Sequence, residues 1–236
     1  MASFSKRSLE LLLKNEGLGS SLGRECSTVQ LFPTGIESLD RLLSGGLPRG
    51  HIIEITGPIS SGKTSLLISL FSHATQKGEV VACIDANQLD PFSAWQCGVD
   101  PNKLLWVRCR HKQQILKAAD ILCRAGNFGI IALDLHLSTQ GMGNHFWFRL
   151  QRAVEGTRTI LLLLVPYPLA GNAARMDLIL RRQEIHWHGE SSRWKLLRGY
   201  SIEIRAEGRT SSQLARARIP VQSHHVPVAG QQLAIA

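Results

Sequence analysis

Eight residues, "GPISSGKT" at Gly57 to Thr64, fit the spacing G-x-x-x-x-G-K-[ST]. Glycines at those places let backbone amides face a ligand, a helix N-terminus adds positive partial charge, and Lys63 brings a full one; together they attract phosphate groups. The Thr64 hydroxyl is placed to ligate Mg²⁺, with Lys63 reaching the β and γ oxygens of a nucleoside triphosphate. Phosphoryl transfer also needs a carboxylate for the metal shell, usually at the end of another buried strand, and "GIIALD" ends in Asp134. An aspartate there also serves as an ordinary turn cap, and the glycine loop is what favours the metal role. A third stretch, "CIDANQLDP" at Cys83 to Pro91, follows an apolar run and holds Asp85 and Asp90, with Ala86 and Asn87 between them.

These residues need elements to position them. The β-rich run "HIIEIT" leads into the glycine loop and "SLLISLFSHATQ" leaves it at helical spacing, the context in which the loop works. Beyond it the pattern alternates: strand "VVACID", a short helix "PFSAWQCG" with Asp90 as N-cap and Pro91 at N1, strand "LLWVRC", helix "KQQILKAADILCRAG", strand "GIIALDL", helix "HFWFRLQRAVEG" and strand "TILLLLV". Strands and helices in turn predict an α/β fold with a mostly parallel sheet and helices on both faces. From Met176 two extended runs flank a Gly-Glu-Ser-Ser turn, which predicts a terminal antiparallel hairpin. Upstream, "TGIESLDRLL" reads as a capping box, with Thr34 and Glu37 satisfying each other's amides. Leucine spacing in "SKRSLELLLKNEGLG" predicts an amphipathic helix. The expected organisation is therefore an N-terminal helix and linker over 1–30, a nucleotide-binding core over 31–206 and a flexible tail over 207–236.

Composition narrows the classes. A chain of 236 residues with 44% apolar content is too hydrophobic for disorder and suits one main core. Net charge of +9 favours an acidic partner such as nucleic acid. Five cysteines without a C-x-x-C pair point to neither a disulfide framework nor a zinc knuckle, and a reducing cytoplasm is the expected location. The longest apolar run, "TILLLLVP", is far short of the roughly 20 residues that span a bilayer.

The stretch "PTGIESLDRLLSGGLPRGHIIEITGPISSGKTSL" strongly resembles the RecA-type recombinase core, and the resemblance continues through "IDANQLDP", "GVDPNKLL" and "GIIALD". It is close over roughly 31–135 and looser over 159–205. Within that superfamily the chain looks most similar to ImuA-like proteins, which assist error-prone translesion synthesis. The resemblance implies a RecA-like P-loop NTPase core in which Gly57, Pro58, Ser60, Ser61, Gly62, Lys63, Thr64 and Ser65 hold ATP, Thr64 and Asp134 serve Mg²⁺, and Asp90 lies near the adenine. It further implies a place in DNA repair and the SOS response, single-stranded DNA and a recombinase or translesion polymerase complex as partners, and homo-oligomers with ATP between neighbouring subunits.

Departures from the family pattern sharpen this. Active recombinases carry a glutamate just after the Asp-Ala, where it orients the attacking water, whereas Asn87 follows here and no glutamate lies between Asp85 and Asp90. An amide has almost no basicity, so hydrolysis is expected to be weak or absent while binding survives. After "TILLLLV" the usual Asn-Gln pair is replaced by "PYPLAGNAARM", whose prolines stiffen the turn. The position of the family's adenine-stacking tyrosine is Ser93, beside Phe92. Two alternatives stay open: a DNA-dependent ATPase using Asp85 as base, and a scaffold that binds neither ligand strongly.

Smaller candidates divide between function and structure. "HLSTQGMGNH", Asn172 and Arg175 stand where the family contacts DNA, and each also reads as connector or solvated surface. The basic residues from Arg175 to Arg218, interleaved with Trp187, Trp194 and Tyr200, would suit stacking on single strands, or a hairpin packed on its core. His186 and His188 share a strand face without a third metal ligand. The terminal "QQLAIA" is weakly similar to sliding-clamp docking peptides but lacks their bulky ending.

Overall fold

The computed structural model describes residues 30–85, 89–135, 143–188, 196–208 and 212–219. All of its elements lie in the unit Leu31–Ala236. A small ribbon opens it, with β1 (Leu31–Phe32) antiparallel to β2 (Leu47–Pro48) and α1 (Glu37–Leu42) between them. The expected capping box takes another form. Asp40, one turn into the helix, accepts from both the amide and the hydroxyl of Thr34 at 2.7 Å, while Glu37 pairs with Arg41 instead. A carboxylate that reaches both donors at once outcompetes the longer glutamate, which finds a guanidinium at i+4.

The main sheet has eight strands in the order β10-β9-β8-β3-β7-β6-β4-β5. In chain order they are β3 (Ile52–Thr56), β4 (Val81–Asp85), β5 (Leu104–Arg108), β6 (Ile130–Asp134), β7 (Ile160–Val165), β8 (Ala174–His188), β9 (Leu196–Gly208) and β10 (Ser212–Ile219). Pairing is parallel from β8 across to β5 and antiparallel from β8 through β9 to β10. Every residue of β3, β4, β6 and β7 is buried, as unalternating apolar runs require of strands covered on both faces.

Two apolar cores supply that cover. On one face Leu66, Leu70 and Phe71 of α2 (Lys63–Gln76) pack with Leu39 of α1 and Ala94 of α3 (Pro91–Gln96). On the other, Ile115 and Ala119 of α4 (Lys112–Ala125) join Trp147 and Leu150 of α5 (Asn144–Val154). Parallel register sets Asp134 beside Leu164 and Thr56 beside Val165, so β3, β6 and β7 finish along one edge of the sheet. Open parallel sheets bind ligands outside that edge.

The expected tail over 207–236 is corrected in part. β9 runs on to Gly208, and β10 pairs with it from Ser212↔Glu207 to Ile219↔Tyr200. Alternation of Leu214, Ala215, Arg216 and Ala217 is too weak to read as a strand, but the free edge of β9 offers a full row of backbone partners. Residues 220–236 and 1–29 lie outside the described residues.

Candidate functional site

Two glycines make the loop possible. At Gly57, φ is 151° and an added Cβ would stand 2.6 Å from the Leu180 carbonyl oxygen. Gly62, at φ 97°, is the N-cap of α2 in a left-handed conformation, which lets the chain turn from loop into helix. No side chain caps α2 and its first turn holds no acid, so the positive end of a 14-residue helix is left to an external anion.

Lys63, the first helical residue, is buried, and its ammonium donates to the carbonyls of Gly57 at 2.5 Å and Pro58 at 2.9 Å. The side chain is thus tucked beneath its own loop. Burial pulls its pKa below the usual lysine range, and the charge of Asp134 opposes that pull. Asp134, at the end of β6 two strands from β3, is buried as well. The Thr64 side is exposed, whereas Ser61 is enclosed.

Residues 59–65 form one wall of a cleft of about 390 Å³, and Arg182, Ile185 and Tyr200 form the other. That volume falls within the range of small-molecule sites. The phenol of Tyr200 donates to the Ser65 hydroxyl at 2.5 Å, holding β9 against the first turn of α2. Among the described residues, two cations and no carboxylate line the cleft. Uncapped amides, a buried lysine and this charge pattern fit a polyphosphate, with Thr64 exposed in the cleft wall; Asp134 is not among the described residues that line it.

Other expected residues are placed elsewhere. Asp90 does cap α3, accepting from the amides of Phe92 and Ser93 and from the Ser93 hydroxyl, and those bonds hold its carboxyl below the usual range. It does not line the cleft. Phe92 and Trp95 stand exposed beside it with ring centroids 5.7 Å apart. Asp85 is fully buried: one oxygen accepts from the Leu89 amide at 2.6 Å and the other from the Trp106 indole at 2.8 Å. His186 bonds the Ser201 hydroxyl at 2.7 Å, and a register shift follows it before Trp187. Among the described residues no group of three or more His, Cys, Asp or Glu could hold a metal. Asn172 and Arg175 are exposed around the short turn Gly171–Ala173. Asn87, His136 and Trp194 lie outside the described residues, as do residues 137–142.

Arg182, Ile185 and Tyr200 were not legible as loop neighbours, because only the pairing of β8 beside β3 brings them there. A second unforeseen group had one signal, a glutamate inside the apolar run "HIIEIT". Glu54 is fully buried, accepts from the amides of Leu169 and Ala170 at 2.8 and 2.9 Å, and stands opposite Asp177 of β8.

A glycine loop between a central parallel strand and its helix, with an acid ending a strand two places away, defines a P-loop α/β protein. More narrowly, the chain belongs to the RecA N-terminal domain family, whose model matches residues 6–138. Protein RecA of Bifidobacterium breve is 41% identical over 126 residues, which is 51% of this chain and 32% of that protein. Protein RecA of Mycolicibacterium smegmatis is 43% identical over 138 residues, 55% of this chain and 40% of that protein. The chain thus spans about a third to two fifths of these curated relatives. A crystal structure of the RadB recombinase shares the fold, with a TM-score of 0.63 and 16% identity over 80% of this chain and 96% of that one.

Proposed function

We propose that this protein is a RecA-like ATP-binding protein of the DNA damage response, accessory to recombination or to error-prone translesion synthesis in the manner of ImuA-like proteins, with weak or no ATP hydrolysis. The observation that carries the reading is a phosphate-ready loop together with Asn87, an amide where the resemblance expects a glutamate. Loop amides, Lys63 and the α2 N-terminus would hold the phosphates, and Thr64 with Asp134 would hold Mg²⁺. When bound, MgATP contributes a charged γ-phosphate whose transfer requires an oriented nucleophile. Lys63 would leave its carbonyl partners for phosphate oxygens, a short movement that frees Gly57 and Pro58.

The chain offers little to orient that nucleophile. Asn87 replaces a carboxylate with an amide, and both Asp85 oxygens already accept hydrogen bonds, one of them fully buried. A base so occupied would have to abandon an amide and an indole before taking a proton. The ATPase reading that employs Asp85 is correspondingly weakened. Nucleotide would act instead by ordering the loop and the surface around it, for a second protomer or a partner.

Phosphate release with and without single-stranded DNA tests this, beside Lys63→Ala and Asn87→Glu. The expected result is ATP binding lost in Lys63→Ala, slow turnover in the wild type, and turnover raised about tenfold or more by Asn87→Glu, within the range of general-base effects. Rapid DNA-stimulated turnover in the wild type would overturn the accessory reading.

A further inference from the structure

Side chains of β8 that face α2 form a row: Leu178 and Leu180 are fully buried against the helix, and the next in alternation is Arg182. Arg182 is exposed and lines the loop cleft. The row changes from leucine to arginine as it reaches the helix's N-terminal end, where apolar cover stops and the loop begins. On β9 the matching row runs Ala206, Ile204, Ile202 and then Tyr200, whose hydroxyl is bonded to Ser65. That bond pins the two strands beside the loop, and Ile202 is the cross-strand partner of Arg182.

Among the described residues no carboxylate pairs with Arg182. Glu184, the nearest acid in sequence, does not line the cleft. Among the described residues, this guanidinium shares the cleft with an uncapped helix end and a lysine, which are like charge, and with no carboxylate. The arrangement becomes favourable when an anion carrying several charges lies between them, and a guanidinium binds phosphate oxygens in pairs.

We propose that Arg182 is a phosphate-binding residue supplied within the same chain, gripping the terminal phosphate of a nucleoside triphosphate from the side opposite Lys63. Binding then needs no cation from a neighbouring subunit. This rests on the reading of Gly57 to Thr64 as a nucleotide loop, which a separate control tests.

Dissociation constants for ATP and ADP with Mg²⁺, measured by calorimetry on the full chain at concentrations where sedimentation shows single chains, decide the matter. Arg182→Ala is expected to weaken ATP by roughly ten- to a hundredfold, the worth of a charge-assisted contact. ADP should weaken by only a fewfold, and Arg182→Lys should fall between. Because the side chain is exposed, the melting temperature without nucleotide should stay put; if Arg182→Ala misfolds, Arg182→Gln preserves the stem and serves in its place. An unchanged ATP constant, an equal loss for ATP and ADP, or wild-type binding seen only in associated chains would each overturn the assignment while leaving the loop reading intact. No ATP binding by the wild type, and no difference in Lys63→Ala, would overturn both.

Discussion

Asp85 ends β4 at the sheet edge where nucleotide-binding proteins place working acids, yet both of its oxygens are engaged, one by the Leu89 amide and one by the Trp106 indole. A buried carboxylate with two donors serves as a brace: it ties the segment after β4 to the edge strand β5. Removing it takes this acceptor from a buried amide and a half-buried indole N–H. Asp85→Ala should therefore lose about 3 kcal/mol of stability in urea unfolding, from the worth of bonds to a charged group and the desolvation left behind. A variant that keeps its stability but loses ATP turnover would show Asp85 to be the base after all. Lys63 is the converse case: among the described residues its ammonium bonds only carbonyls of its own loop, Gly57 and Pro58.

At the scale of elements, β3 carries more than the loop. Glu54 in its middle holds the amides of Leu169 and Ala170, the segment that replaces the family's expected Asn-Gln, and faces Asp177 across the β3–β8 pairing. Two carboxyls in low dielectric cannot both ionise readily. Burial pushes Asp177 up to about 7, with the charge of Glu54, a shared hydrogen bond with it and the charge of Glu207 on β9 acting in the same direction. The unfolded chain ionises near pH 4. Between about 4 and about 7 the native state therefore holds a proton that the unfolded state has released, and stability falls as pH rises through that window. Asp177→Asn should flatten this slope and raise the melting temperature at pH 8 by several degrees. Melting curves across a pH series check it, and parallel slopes for the two proteins would count against the shared proton. Asp90 and Asp100, both shifted downward by hydrogen bonds, act in the opposite sense below that window.

For the molecule as a whole, the net charge is +9, and Phe92, Trp95 and Trp187 are exposed aromatics of the kind on which bases can stack. Among the described residues no helix is long and apolar enough to cross a membrane. If the basic surface engages DNA, log affinity for an oligothymidine should fall with log salt at a slope of about −0.7 per phosphate contacted. Fluorescence anisotropy at several salt concentrations reads that slope. A flat salt response, or no binding at the lowest salt, would count against contact between this surface and DNA phosphates.

What the sequence determined by itself was local. The glycine loop, the Asp90 cap, the alternation of apolar strands with helices and the amide at Asn87 each depend on residues close together in the chain, so spacing and residue type suffice to read them. What only the tertiary structure decided was a choice among competing partners, some near in sequence and some far. Thr34 chose Asp40 over Glu37, β10 took the open edge of β9, Asp85 found Trp106, and Glu54 found Asp177. Arg182 and Tyr200 reach the loop only because β8 pairs beside β3 and carries β9 with it. Strand order and register are set by which apolar faces can be buried together, a property of the whole sheet, and it is this that decides which charges meet the loop and which are spent inside the fold.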